Sequence, residues 1–570
     1  MASLSRRRER MGPSQASQLR HLSTRLARKP EFVILPASIA IALVSALYLL
    51  SRNPYSLLYY GDSISHLVIS RKVIDWITPG YAQLGTVWLP LPHTMMLPFI
   101  WNDYLFHTGL AGTIVSALSM AVTNVLLFRI AKFQFNSTKA GILASILYLL
   151  NPSVLYMGII PMTEAPFMMF FILAVYYLQM WHYSTDTWKQ YRNILKCSLA
   201  VSLATLTRYE AWILPFALVF VLFLVLVLLR KEGWKARTRA LLVVAVAYSS
   251  LGPIAWALWN YAIFRNPLAF VDSPYSAQNQ ALAKPFSAHL FLQPLNSLRI
   301  MGEVASSMYG MQVLAVALVG LVVYLAMRWR TGRLTFSVLT LLILLVPALA
   351  TFAAMVEGSG EIYPYQGGFF NGRFLVFLYP FLVFCSVALV VFFARRKELR
   401  FKILSVVVAT LVVSSFGYTF VQQPLVFGKT TAMNGTSPYP LGTSVDQADL
   451  QLANELASTV RGGHVVLYTP SGASSEIMLL SNLDLKSFIA LGSGQYWNTS
   501  QRFPWVYGTY LVWTRQPNSE IEALQNYWQA NSTILLEHYQ LVYQNTAYDL
   551  FQNRTRPDYS LASNTTLNIP

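Results

Sequence analysis

Long apolar runs recur along the chain, separated by short segments rich in Lys, Arg, Pro, Gly and Ser, and this spacing predicts helices that cross a bilayer. The first run, about Phe32 to Leu50, follows a stretch with eight basic residues (Arg6, Arg7, Arg8, Arg10, Arg20, Arg25, Arg28, Lys29) and no small-residue cleavage site. That stretch, residues 1–31, is expected to stay cytoplasmic as a basic N-terminal tail. Basic clusters at Arg129/Lys132/Lys139, Lys189/Arg192/Lys196, Arg230 to Arg239, Arg328/Arg330/Arg333 and Arg395 to Lys402 each mark one return to the cytoplasm. A last outward helix at about Ile403 to Phe420 brings the expected number of crossings to about eleven and leaves the C-terminus outside.

Residues 422–570 break the pattern. His464 to Thr469 and Thr509 to Thr514 are short β-branched and aromatic runs, while Val445 to Val460 and Asn518 to Ala530 have helical apolar spacing. The expected architecture is therefore an all-α polytopic membrane protein, residues 32–421, with a small C-terminal extracytoplasmic α/β domain. Five Asn-X-Ser/Thr triplets after the last span, at Asn434, Asn498, Asn531, Asn553 and Asn564, suit a surface that meets a glycosylation machinery. Ser471-Gly472-Ala473 follows a strand and is weighed as a phosphate loop against a plain turn, which the missing Gly-rich fingerprint favours.

Composition agrees with a membrane solvent: 55% of residues are hydrophobic and only 12% charged. The net charge of +18 sits in the loop clusters, so it speaks for a lipid bilayer partner and against nucleic acid. A multi-pass protein of the plasma membrane is the expected setting. Cys197 and Cys385 both fall in or beside apolar runs, which leaves no disulfide framework.

Cys197 to Leu229 spans 33 residues between two clusters that both belong inside. Two full crossings need roughly 40, so these helices are expected to be short or broken, meeting at Thr207-Arg208-Tyr209-Glu210. Charges at that depth are costly unless paired or wetted, which makes Arg208 and Glu210 functional candidates, with a structural ion pair as the plainer alternative.

Other polar residues converge on the same side. Asp62 and His66 in the first outer loop share a face if that segment is helical. Asp62 can take a proton from a hydroxyl, and His66 or His93 can bind a phosphate or ligate a metal. A divalent metal is thus an open alternative, and no other cofactor is called for. The Trp88-Leu89-Pro90-Leu91-Pro92-His93 run reads as a half-buried segment facing substrate. Glu164 opens a Phe/Met-rich helix, where it serves either the site or the helix dipole. Asn371 and Arg373 stand at the mouth of another span, and Arg373 can grip a phosphate through two nitrogens. From the residues alone, two classes remain: a transferase with a lipid-phosphate leaving group, or a transporter or flippase of a glycolipid or anionic solute.

The chain resembles the glycosyltransferase C superfamily, near the protein O-mannosyltransferase and aminoarabinose transferase branch. The resemblance rests on Asp62, on Asn151 to Phe167, on Leu206 to Glu210 and on Asn371 to Phe374. It implies a polyprenyl-phosphate sugar donor (hexose or pentose, mannose among the candidates), an active site on the extracytoplasmic side and inversion at the anomeric carbon. It also implies Asp62 as base or acceptor-orienting carboxylate with Glu164 beside it, and Arg208 and Arg373 on the departing phosphate. His66, His93, Tyr209, Glu210 and Asn371 complete the expected substrate-binding set. Many relatives carry two adjacent acids where this chain has Asp62-Ser63, which weakens a metal role there. The acceptor, whether glycan, lipid or protein, is not implied. An oligosaccharyl-type transferase acting on Asn shares the superfamily but calls for acidic metal ligands and a larger external domain.

Overall fold

A computed structural model describes residues 29–84, 87–229, 235–273, 276, 279, 290–330, 334–360, 362, 372–422, 446–516, 518 and 520–555. Among these, nine helices are long and apolar enough to cross a membrane, from Glu31–Arg52 to Leu399–Gly417. Two further crossings expected from the sequence fall on Thr138–Leu150, which is shorter, and on Thr187–Thr205, whose first turns are polar. The protein is a multi-pass integral membrane protein. Its outward-facing apolar side chains, such as Phe216 at 75% and Val406 at 65% exposure, would be untenable in water but face hydrocarbon here.

The helices differ sharply in burial. Gly372–Ala394 runs through the centre with 94% of its apolar stretch buried, whereas Glu31–Arg52 on the periphery has 17%. Small residues allow the closest approaches, as is usual where lipid removes the hydrophobic drive between helices. At Gly112 a Cβ would sit 2.4 Å from the Pro161 ring, so only glycine lets the Leu110–Phe135 helix reach the chain there. Thr113 and Ser116 next to it donate to the carbonyls of Ile159 and Ile160, at 2.5 and 2.7 Å. These contacts fix the corner that leads into Thr163 and Glu164.

Around Arg208 the chain is broken, as the length argument required, but for a different reason. The first helix starts at Thr187, capped by Asp186, and carries the basic cluster on its own first turns. It ends at Thr205; Tyr209–Ile213 forms a 3-10 turn, and Leu214–Phe223 resumes the crossing. The proline-rich run is likewise a helix start: Pro90 occupies the first turn of Pro90–Ile100, where a missing N–H costs nothing.

The C-terminal segment folds around five strands: β1 (His464–Tyr468), β2 (Phe488–Ile489), β3 (Gly508–Thr514), β4 (Tyr539–Gln544) and β5 (Tyr548–Asn553). Their order is β2-β1-β3-β5-β4, with β1 parallel to β2 and β3, and the last two pairings antiparallel. Helices Gln447–Thr459 and Glu522–Ala530 match the expected helical stretches within a few residues. Ser471-Gly472-Ala473 is neither phosphate loop nor plain turn. It opens the helix Ser471–Leu480, and Glu520 fills the anion position by accepting from the Ser471 N–H at 2.8 Å. Of the five triplets, Asn434 and Asn564 lie outside the described residues. Asn553 uses its amide to donate to the carbonyls of Trp505 and Gly508, while Asn498 is exposed.

This domain shares a hydrophobic core with the segment that carries Asp62. Ile64, Leu67 and Val68 of the helix Gly61–Lys72 pack with Leu452, Ile477 and Leu479 in one cluster. Polar contacts pin the joint. Asp75 accepts from the N–H groups of Leu485 (3.1 Å) and Lys486 (3.3 Å), and His107 Nδ1 meets the Leu479 carbonyl at 2.6 Å. Arg71 braces Asp75 by bonding it at 3.0 Å, Asp103 at 2.6 Å, and the carbonyls of Ile100 and Trp101.

Candidate active site

Five charged side chains from four separated segments meet beside this joint. Glu164, the first residue of the helix Glu164–Tyr183, is fully buried at the centre. Arg208 bonds it at 2.7 Å, takes both oxygens of Glu210 at 2.7 and 3.2 Å, and reaches Thr163 Oγ1 at 2.9 Å. On the other side Arg373 pairs with Asp62 through Nη1 and has its Nε 3.9 Å from the same Glu164 oxygen. Helix N-termini set this pattern. Asp62 lies in the first turn of Gly61–Lys72 and Glu164 in that of its own helix, where the dipole favours anions.

Two guanidinium ions so close need more than one shared carboxylate. The ring of Phe374 lies between them, 5.2 Å from the Arg208 guanidinium carbon and 4.8 Å from that of Arg373. Phe377 adds a second ring to Arg208, and Tyr60 one to Arg373. The second oxygen of Glu164 has no hydrogen-bond partner although it is buried, a feature with a price of its own unless a ligand or water meets it.

His66 and His93 are placed differently. Both are fully buried and hydrogen-bond each other, His66 Nδ1 to His93 Nε2, at 2.9 Å. Burial, with Arg373 and Arg208 nearby, pushes the His66 pKa down to about 3; burial and the His66 ring push His93 well below its usual value. Both rings are therefore neutral near pH 7 and add no positive charge for a phosphate. Trp88 stands edge-on to His66 with centroids 4.5 Å apart, so the pair ties the Pro90–Ile100 helix to the Asp62 helix. Among the described residues no group of three His, Cys, Asp or Glu side chains could hold a metal ion.

Tyr209 turns away from the ions. Its hydroxyl donates to the Val87 carbonyl at 2.8 Å and receives the Trp256 N–H at 3.2 Å, and its ring stacks on Phe270. It anchors the Val87–Leu91 segment against the broken helix, together with the Leu91 N–H bond to the Leu206 carbonyl. Asn371 lies outside the described residues.

Residues 104–256 match the dolichyl-phosphate-mannose-protein mannosyltransferase family, a range that holds Glu164, Arg208 and Glu210 but neither Asp62 nor Arg373. Comparison with the curated proteins finds no match. Among solved structures, the chain resembles ArnT from Cupriavidus metallidurans bound to undecaprenyl phosphate. The identity is 13% and the TM-score 0.51, over 90% of this chain and 97% of that one. It also resembles AglB, the archaeal oligosaccharyltransferase from Archaeoglobus fulgidus, in complex with an inhibitory peptide and a dolichol-phosphate. There the identity is 13% and the TM-score 0.51, over 96% of this chain and 75% of that one. This is the glycosyltransferase C fold.

On the glycosyltransferase C fold of this chain, sequence reasoning missed Thr163, Phe374 and Tyr60 as partners of the two arginines. Phe374 was in sight as the residue after Arg373, but nothing in a linear pattern says that its ring also meets a guanidinium from Arg208. Thr163 precedes Glu164, and nothing in its position says that its hydroxyl accepts from Arg208.

Proposed function

We propose that this chain is a membrane glycosyltransferase that moves a sugar, a hexose or pentose with mannose among the candidates, from a polyprenyl-phosphate donor to an acceptor on the extracytoplasmic side. The observation that carries the reading is the buried ion cluster, in which two arginines with planar, bidentate donors share one carboxylate beside a more exposed one. The N-terminus is cytoplasmic and residues 422–570 extracytoplasmic in this reading. The dolichyl-phosphate-mannose family match and the lipid phosphates in the two solved structures support the donor class.

The reaction is a displacement. An acceptor hydroxyl oxygen attacks the anomeric carbon, the bond from that carbon to the phosphate oxygen breaks, and configuration inverts. Asp62 takes the hydroxyl proton. The electron pair leaves on the phosphate, whose added charge Arg208 and Arg373 neutralise in a site where few waters compete. The products are a glycoside and free polyprenyl phosphate. A groove of about 600 Å³ between the Leu214–Phe223 and Ala236–Ser249 helices starts at Pro215, directly after the Tyr209–Ile213 turn. Phe216, Val219 and Phe220 line it, and we assign it to the isoprenoid chain of the donor, whose phosphate would then lie toward Arg208.

The test uses vesicles that contain the protein and a labelled polyprenyl-phosphate sugar. A transferase releases free polyprenyl phosphate in step with glycosylated acceptor; movement of intact lipid between leaflets with no release would identify a flippase instead.

A further inference from the structure

The ion cluster has the wrong charge for the ligand proposed above. Among the described residues the cluster sets three carboxylates, Asp62, Glu164 and Glu210, against two guanidinium groups, Arg208 and Arg373, with the neutral rings of His66 and His93 beside them. A donor phosphodiester, itself an anion, would enter a cluster already in negative balance, and its phosphomonoester product still more so. One carboxylate has to give way.

The two arginines are unequal in this respect. The Arg208 fork is held by Glu164 and by both oxygens of Glu210, on side chains 0% and 18% exposed. Asp62 on Arg373 is 29% exposed, the most of the three, and hangs from the first turn of its helix, where the free carboxylate is still favoured by the dipole. Glu164 lies farther from Arg373, with 3.9 Å to Nε.

We infer that the Asp62–Arg373 contact is a latch that the donor phosphate opens: the phosphate takes the place of Asp62 on Arg373, and the released carboxylate becomes the base. This rests on the donor class proposed above. The phosphate seat and the base are then two states of one ion pair, so Asp62 is free to receive a proton only when a donor occupies Arg373. After transfer the protonated Asp62 cannot re-pair. Once it loses the proton to water, it returns to Arg373 and helps to expel the product phosphate.

The experiment is equilibrium binding of polyprenyl phosphate, without sugar or acceptor, to the purified full chain in nanodiscs. Wild type is compared with Asp62→Asn, Asp62→Ser and Arg373→Ala, each first shown to be folded at the temperature of the assay. A latch lowers apparent affinity by the fraction of time it stands open, so both Asp62 variants should bind tighter than wild type, about tenfold for an open fraction of about one-tenth. Arg373→Ala should bind much more weakly. Equal or weaker binding by both Asp62 variants, with Arg373→Ala still impaired, overturns the latch and leaves the donor class standing. Wild-type affinity in all variants overturns the phosphate seat itself, and the latch with it. Asp62→Ser keeps the test alive if the amide variant does not fold.

Discussion

Removing Arg208 should do two separable kinds of damage. In Arg208→Ala the buried Glu164 loses its 2.7 Å partner and keeps only Arg373 at 3.9 Å, while Glu210 loses both of its bonds to the guanidinium. Breaking a buried pair from one side costs about 3–5 kcal/mol, because the other charge stays behind without compensation. Replacing Glu164 by Gln in the same chain removes that orphaned charge and should recover about half of the loss. Turnover should respond differently. Losing one donor to charge that develops in the transition state costs about 100-fold or more, and the second substitution cannot restore it. Stability can be read in detergent with a thiol-reactive dye, since the only two cysteines, Cys197 and Cys385, are both 1% exposed and react on unfolding. A single variant that melts with wild type would refute the energetic argument; a double variant that turns over donor near the wild-type rate would refute the role of Arg208.

Three further outcomes follow from the same structure. Asp75→Ala removes the acceptor for the Leu485 and Lys486 N–H groups and frees Arg71, so the sheet domain should loosen by about 2 kcal/mol, with faster proteolysis near residue 485 and a lower kcat at unchanged donor KM; unaltered proteolysis would show that the apolar joint suffices. His66 and His93 have folded pKa values below those of the unfolded chain, so the stability they contribute is present above about pH 6.5 and lost as pH falls below it, for His66 down to about 3; a His66→Gln protein should show a flatter acid limb by thermal melting. Glu476 in the sheet domain is pushed the other way, by burial and by Asp449 beside it. Its stability is present below about pH 4.5 and lost as pH rises, so Glu476→Gln should melt higher than wild type at pH 8, and an equal or lower melt would contradict that assignment.

How much of this was legible in the chain depends on the range of the interaction. The spans were readable because the bilayer imposes a local rule, about 20 apolar residues between basic clusters, and β1 and β3 because parallel strands are apolar on both faces. The break at Arg208 was readable as a shortage of length and falls at Thr207 to Glu210 as expected, but the start of the helix before it was not, because the basic cluster proved to be part of Thr187–Thr205. The β4–β5 hairpin escaped because Tyr539–Gln544, an edge strand, and Tyr548–Asn553, between β3 and β4, are rich in Gln, Asn and Asp, which resemble loop. Five candidate charges meet in one cluster, since charges in an apolar setting must find partners. The His66–His93 bond joins residues 27 apart, and its effect, two neutral rings where two cations were candidates, comes from burial that no spacing reveals. The shared core between the Asp62 helix and the sheet domain is equally silent in sequence: nothing in the first outer loop pairs Ile64 and Leu67 with Ile477 and Leu479, more than 400 residues on.

The most direct test of the central claim is to give purified protein a small panel of polyprenyl-phosphate sugars and quantify free polyprenyl phosphate, with wild type and Asp62→Asn side by side. Wild type should release polyprenyl phosphate from at least one donor, with inversion in the glycoside formed, and Asp62→Asn should lose that release. Release that proceeds equally in Asp62→Asn would contradict the assigned base. No release from any donor with acceptor-bearing membranes present would contradict the transferase itself.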